Sequence, residues 1–303
     1  MNRREFGAVA AGAALAGRAV SSQSSDARFQ KGVCSNIFPN RMPLGECFQR
    51  AKAAGFDGIE IPVGGEINLK STAEELKRIH ATAREQGITM VCLWASEPLS
   101  SNWLNDPDPA VRARGVDGVK RALEIAHSLE CGAMLIVPGR LGQGARFQIG
   151  YEDSWNRITA EMKKLIPFAA QAQVILAPEN VWNKFLVSPL EMRAFVDQFN
   201  SPWVQAQFDI GNVMQFGYPE DWILTLGPRL KRVHLKDYKL SARAEQGRFV
   251  DLLEGDVNWK GVMAALVKVG YRGWVCPEIG HNPNDPDQLK KLSATVDKII
   301  AMA

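Results

Sequence analysis

A single (β/α)8 TIM barrel is the fold class the sequence predicts, and three observations predict it. Short apolar runs alternate with longer amphipathic segments from residue 31 onward, over about 270 residues, a usual size for one such barrel. Eight of the runs have strand character, enough to close a barrel. A doubly wound sheet, the structural rival, wants a glycine-rich phosphate turn after its first strand, and "SNIFPN" is not one.

In chain order the candidate strands are "GVCSNI" (32–37), "DGIEIPV" (57–63), "ITMVCLW" (88–94), "AMLIVPG" (133–139), "VILAPEN" (174–180), "VQAQFDIG" (204–211), "RVHLKD" (232–237) and "GWVCPEIG" (273–280). The helical stretches include "PLGECFQRAKAAG", "STAEELKRIHATAREQG" and "DPAVRARGVDGVKRALEIAHSLECG". Gly55, Gly87, Gly132 and Gly270 stand where helices should stop. "STAEE" offers a capping start, with Ser71 or Thr72 ahead of Glu74 and Glu75.

Residues 1–25 read differently from residues 26–303, which form the barrel domain. "MNRREFGAVAAGAALAGRAV" carries Arg3 and Arg4, a run of small apolar residues from Phe6 to Ala16, and a small-residue cleavage site at Ala14–Ala16. A polar linker, "SSQSSDA", follows. This is the pattern of a twin-arginine signal peptide, so the expectation is export by the twin-arginine machinery to the periplasm or outside the cell. The apolar run is too short for a stable membrane span. Removing residues 1–16 takes away Arg3, Arg4 and Glu5 and lowers the formal charge from +3 to +2.

Composition excludes several classes. The 303 residues are 46% hydrophobic and 23% charged, ordinary for a soluble globular chain. A formal charge of +3, scattered along the chain, argues against a nucleic-acid surface. Cys34, Cys47, Cys92, Cys131 and Cys276 show no CxxC spacing, and no essential disulfide is expected. Cys34, Cys92 and Cys276 lie in apolar runs, as small hydrophobes do.

The chemistry-bearing residues come late. Glu179 closes "VILAPEN", Asp209 closes "VQAQFD", His234 lies in "RVHLKD" and Glu278 closes "GWVCPE". The separations of 30, 25 and 44 residues are each close to one strand–helix unit. In a barrel, functional groups sit at the C-terminal strand ends, so consecutive strands aim all four at one mouth. A lone acidic strand end is commonly a helix cap, and a lone strand histidine a core residue. Four such placements on successive strands instead suit one divalent ion. The oxygen-rich set favours Mn2+ or Mg2+, and the imidazole keeps Zn2+ and Co2+ open.

These segments carry a family resemblance. "PEN", "FDIGN", "VHLKD" and "PEIG", with "AKAAGFDGIEIPV" near the start, resemble the xylose-isomerase-like TIM barrel family of sugar isomerases and epimerases. "NSPWVQAQFDIGNVMQFG", "RVHLKD" and "RFVDLLEGDVNWKGVMAAL" are similar to its ketose 3-epimerase and ketopentose-5-phosphate 3-epimerase branch. The resemblance implies that Glu179, Asp209, His234 and Glu278 hold one divalent ion, Mn2+ first, chelated by two oxygens of a sugar. It implies that Glu179 and Glu278 are also the catalytic acid–base pair. One carboxylate removes the proton alpha to the carbonyl, the metal stabilises the enediolate, and the other returns a proton on the opposite face. Relatives of this kind are often dimers or tetramers, so a homo-oligomer is open.

Substrate contacts are expected from Glu60, Trp94, Arg140, Trp182, Asn212, Lys236 and Glu254. Glu60 could meet hydroxyls or form a salt bridge inside the barrel, Arg140 could bind an anion, and Trp94, Trp182 and Phe216 could wall a sugar face. Glu254 lies in a loop that the family places over the site. Trp103, Trp203 and Trp259 are read as packing, and His80 and His127, in helices, as structural. Two departures from the free-ketose enzymes bear on substrate: Asn212 replaces a histidine, and Phe185 a second glutamate. Asn212 agrees with the phosphate-sugar branch, whereas an exported protein more plausibly meets an unphosphorylated sugar. The alternatives are a dehydratase or lyase, a 1,2-isomerase on the same barrel, or a non-catalytic carbohydrate-binding barrel. A three-metal endonuclease relative would want more than the four histidines present.

Overall fold

In a computed structural model, residues 28–143, 146–242 and 246–303 are described. The expected signal segment, 1–25, lies outside them. Eight parallel strands build the barrel: β1 (Phe29–Cys34), β2 (Gly58–Pro62), β3 (Thr89–Trp94), β4 (Ala133–Ile136), β5 (Ile175–Pro178), β6 (Ala206–Asp209), β7 (Leu230–Leu235) and β8 (Gly273–Pro277). They are hydrogen-bonded in the order β5-β4-β3-β2-β1-β8-β7-β6. Two isolated parallel bridges, Leu176 to Val204 and Glu179 to Gln207, join β5 to β6 and close the ring.

One long helix follows each strand: α1 (Leu44–Ala53), α2 (Ala73–Glu85), α3 (Pro109–Ser128), α4 (Tyr151–Ala172), α5 (Pro189–Asp197), α6 (Pro219–Leu226), α7 (Trp259–Lys268) and α8 (Gln288–Ile300), with a one-turn helix, Ser96–Leu99, ahead of α3. Their ends are chemically determined. Thr72 and Glu75 form the full capping box at the start of α2, and Ser188 and Glu191 form another at α5. Proline at the first turn opens α3, α5 and α6, where its missing N–H costs nothing. Gly55, Gly87 and Gly270 take positive φ after their helices, as expected. Gly132 does not; Glu130 makes the left-handed turn after α3 at φ 53°. Strand β1 begins three residues earlier than its apolar run suggests, because Ser35–Ile37 coils into a 3-10 turn.

The main core lies between the sheet and the helices and includes Phe48, Phe56, Leu123, Phe195 and Trp222. Inside the barrel the packing is sparser and partly polar. Cys34, Val91 and Cys276 pack with Trp94 and Trp274, while Glu60, Gln207, Arg232 and His234 are buried. Trp274 fills the lower interior because β1 and β2 carry no side chain opposite it. A Cβ on Gly58 would lie 2.6 Å from its ring, and one on Gly32 would lie 2.5 Å from Cys276 Sγ. All five cysteines are free and buried. No helix among the described residues is long and apolar enough to cross a membrane.

Candidate active site

Four adjacent backbone positions deliver the cluster. Asp209 ends β6, and its neighbour in the ladder is His234 on β7. Glu278 lies just past β8, with its N–H donating to Leu235 O at 3.1 Å. Glu179 lies just past β5 and donates to Ile136 O, also at 3.1 Å. Each acid beyond a strand end is therefore still pinned by the neighbouring strand.

The side chains converge on one imidazole. His234 Nδ1 is 2.8 Å from Glu179 Oε1, 3.2 Å from Glu278 Oε2 and 3.9 Å from Asp209 Oδ2. One donor atom from each of the four lies within 4.8 Å of the others, a grouping able to hold a metal ion. The fit is supported by an orphan. Asp209 Oδ1 accepts the Asn212 N–H at 2.8 Å, but Oδ2 is buried and accepts no hydrogen bond. Lys236 Nζ lies 3.2 Å from Oδ2, an ion-pair contact without hydrogen-bond alignment. A buried carboxylate oxygen without a hydrogen bond is costly, and an unaligned ammonium offsets that only in part, so the oxygen is free to take a second cation. Three carboxylates and an imidazole are the donors a divalent ion of intermediate hardness takes.

The electrostatics divide the acids. Burial pushes Glu179 up to about 7, against the opposing pull of His234. Burial raises Asp209 as well. Glu278 is also penalised by burial, but His234 and Lys236 outweigh this and hold it down at about 2. Burial works against a charge on His234, yet its neighbours Cys34, Glu60 and Glu179 hold its pKa well above the usual value. Lys236 likewise overcomes burial, its ammonium held charged by Asp209 and Glu278.

A cavity of about 340 Å³ opens above the cluster, with Glu179, His234 and Glu278 in its lining. Trp94, Trp103 and Val181 form part of its apolar wall. Of the expected substrate contacts, Trp94 is in this lining and Lys236 reaches the acids. The other expected contacts sit elsewhere. Glu60 is wholly buried, beneath His234 and away from the cavity lining, so the salt bridge inside the barrel is the alternative realised. Asn212 is buried, its amide donating to Asn180 O at 2.9 Å, and is not in that cavity's lining. Trp182 donates to Asn212 O at 2.8 Å and packs on Phe249, away from this cavity. Glu254 is exposed, and Phe216 is half-exposed, neither in the lining. Arg140 lines a second cavity of about 260 Å³ with Trp103 and Asn105, its guanidinium 5.0 Å from the Trp103 ring centre.

Two residues were missed. Trp103, read as packing, lines both cavities. Asn180, inside the quoted "PEN", received no role. Its Oδ1 accepts the Asp209 N–H at 2.8 Å and its Nδ2 donates to Asp209 O at 2.9 Å. The amide side chain thus pairs with β6 as a peptide of β5 would. Of the helix histidines, His127 Nδ1 lies 2.8 Å from Ala172 O and His80 Nε2 lies 3.6 Å from Glu130 Oε2, and neither lines the cavity.

Fold and site together define a (β/α)8 barrel with a hard-ligand cluster at its C-terminal mouth. The chain belongs to the xylose isomerase-like TIM barrel family, whose sequence model matches residues 48–298. It is 27% identical over 267 residues to L-ribulose-5-phosphate 3-epimerase UlaE of Escherichia coli O1:K1 / APEC, covering 80% of this chain and 86% of that one. Among solved structures it resembles D-psicose 3-epimerase determined in the presence of D-fructose. That match has a TM-score of 0.76 at 18% identity, over 89% of this chain and 98% of the other. The D-psicose 3-epimerase of Clostridium cellulolyticum H10, with D-tagatose, gives a TM-score of 0.74 at 18% identity, over 90% and 99%.

Proposed function

We propose that the chain is a divalent-metal-dependent sugar epimerase that moves a proton alpha to a ketose carbonyl, with 3-epimerisation as the reaction. The observation that carries this reading is the placement of Glu179 and Glu278 at 2.8 and 3.2 Å from one His234 nitrogen, in the lining of one cavity. The 3-epimerase named among its relatives supports it.

Inversion by deprotonation and reprotonation needs two proton-handling groups on opposite walls of a pocket. Glu278, held low, is ionised at neutral pH and takes the proton. Glu179, the more basic of the two, is the group that returns a proton to the other face. The roles exchange for the reverse reaction. A divalent ion on Glu179, Asp209, His234 and Glu278, with Mn2+ the first candidate, would supply the electrophile that makes an alpha C–H acidic enough for a carboxylate. Trp94 and Trp103 give the cavity the apolar wall on which a sugar face packs. The paired arginines at Arg3 and Arg4 support export, which makes an extracytoplasmic, unphosphorylated sugar the substrate class.

The test is to strip the protein of metal, restore Mn2+, and screen free ketoses for proton exchange with deuterated water. Exchange that depends on Mn2+ and vanishes in E179Q and E278Q is the expected result. Metal binding without exchange on any sugar would leave a carbohydrate-binding barrel in its place.

A further inference from the structure

The geometry points to Glu60 as a positioning residue for His234, fixing which ring nitrogen faces the carboxylate cluster. This rests on the metal-centre reading above.

The two nitrogens of His234 look in opposite directions. Nδ1 faces Glu179, Glu278 and Asp209; Nε2 faces Glu60 Oε2 at 3.0 Å and Cys34 Sγ at 3.5 Å. A neutral imidazole has one N–H and one lone pair, and only the lone pair can ligate a cation. A buried carboxylate at Nε2 takes the N–H there and leaves the lone pair on Nδ1, toward the three acids. Without it the partner at Nε2 is a thiol at 3.5 Å, a weak acceptor. The opposite tautomer then becomes competitive, with its N–H on Nδ1 donating to Glu179 and no lone pair for an ion.

Glu60 is itself held for this task. Trp94 Nε1 donates to the same Oε2 at 2.8 Å, and Glu60 is aligned with Cys34 across the β1–β2 ladder. Trp94 also lines the cavity whose lining includes His234, so one indole touches both the substrate space and the support beneath the imidazole. Carboxylates one step behind a ligand commonly govern metal affinity by about 10–100-fold.

The test uses the full chain, stripped by a chelator and titrated with Mn2+, with free Mn2+ read by electron paramagnetic resonance. E60Q and E60A should bind Mn2+ about 10–100-fold more weakly than the unsubstituted protein. Their Co2+-loaded forms should show a shifted visible absorption band. A merely structural role would lower the melting temperature equally with and without metal and leave both Mn2+ affinity and the Co2+ band unchanged. That outcome overturns the proposal and leaves the metal centre standing. Failure of the unsubstituted protein to bind Mn2+ overturns the centre and the proposal together. Should E60A not fold, the near-isosteric E60Q and the shorter E60D carry the measurement.

Discussion

Lys236 and Glu278 meet just past the adjacent ends of β7 and β8, with Nζ 2.7 Å from Oε2, and the same ammonium stands 3.2 Å from Asp209 Oδ2. A side-chain cation therefore already occupies the field of two proposed ligands. Charge balance at the mouth is shared between lysine and any ion that enters.

The first prediction follows from that sharing. K236M should bind Mn2+ about tenfold more tightly, because a competing charge is gone. Tenfold is a modest part of the roughly 4 kcal/mol felt by two charges 4 Å apart at an effective dielectric of 20. Isothermal titration checks it, and weaker binding in K236M would show that the lysine holds the acids in place instead.

The acid–base pair gives a kinetic prediction. E179Q and E278Q should each reduce deuterium exchange into a responsive ketose by about 10²–10⁴-fold, the range for loss of a positioned general acid or base. Each variant also loses a charged ligand, so exchange must be measured at saturating Mn2+. A variant retaining full exchange would remove its carboxylate from the proton path.

Stability should vary with pH in a stated direction in the metal-free protein. Glu179 is raised from 4.5 to about 7, so its contribution is fully present below 4.5 and is lost as pH rises through 7. His234 is raised above 6.5, so its contribution also disappears on the alkaline side. Glu278 is lowered from 4.5 to about 2, so its contribution is lost only as pH falls below 4.5. From these three groups, thermal stability should peak near pH 5 and decline toward pH 8. Mn2+ affinity should rise over the same interval, because Glu179 and His234 must release protons to bind. Scanning calorimetry and Mn2+ titration at several pH values check both slopes.

Asn180 should matter to the fold beyond its size. N180A leaves the buried Asp209 N–H and C=O without the amide that pairs with them. The expected cost is about 2–4 kcal/mol, from two orphaned backbone groups. Urea denaturation measures it, and a loss below 1 kcal/mol, well under the roughly 1–3 kcal/mol of one orphaned group, would mean that the seam repairs itself.

Under the proposed reaction, Arg140 should separate acidic from neutral substrates. Among the described residues no acidic side chain pairs with its guanidinium, which lies against Trp103 in the cavity next door. R140A should raise KM for a carboxylated ketose by about 10–100-fold, the worth of one charge-assisted hydrogen bond, and leave neutral ketoses unaffected. Equal KM for both classes would reduce Arg140 to a wall.

Much of this was legible in the sequence, and the part that was not has physical reasons. Strand positions follow from apolar runs, and Glu179, Asp209, His234 and Glu278 follow from their recurrence at strand ends. The register of β1 was not legible, because an apolar run does not distinguish a strand from the 3-10 turn at Ser35–Ile37. Alternation along a strand says that Glu60 points inward; it says nothing of depth, and depth separates a support for His234 from a sugar contact. Asn180 was hidden because its partner lies 29 residues away, at the seam between β5 and β6. Trp103 and Trp182 lie in loops and Asn212 in a 3-10 turn, Gly211–Val213, whose course local periodicity does not encode.

The tryptophan at the foot of the barrel has a consequence for traffic. With Trp274 filling the space left by Gly32 and Gly58, side chains occupy the foot of the barrel, and the cavity opens above His234. Under the proposed reaction, what leaves is a stereoisomer of what entered, equal in size and nearly equal in polarity. Both must use one doorway, so neither direction of turnover has a privileged exit, and the relative abundance of the two sugars outside decides which way the enzyme runs.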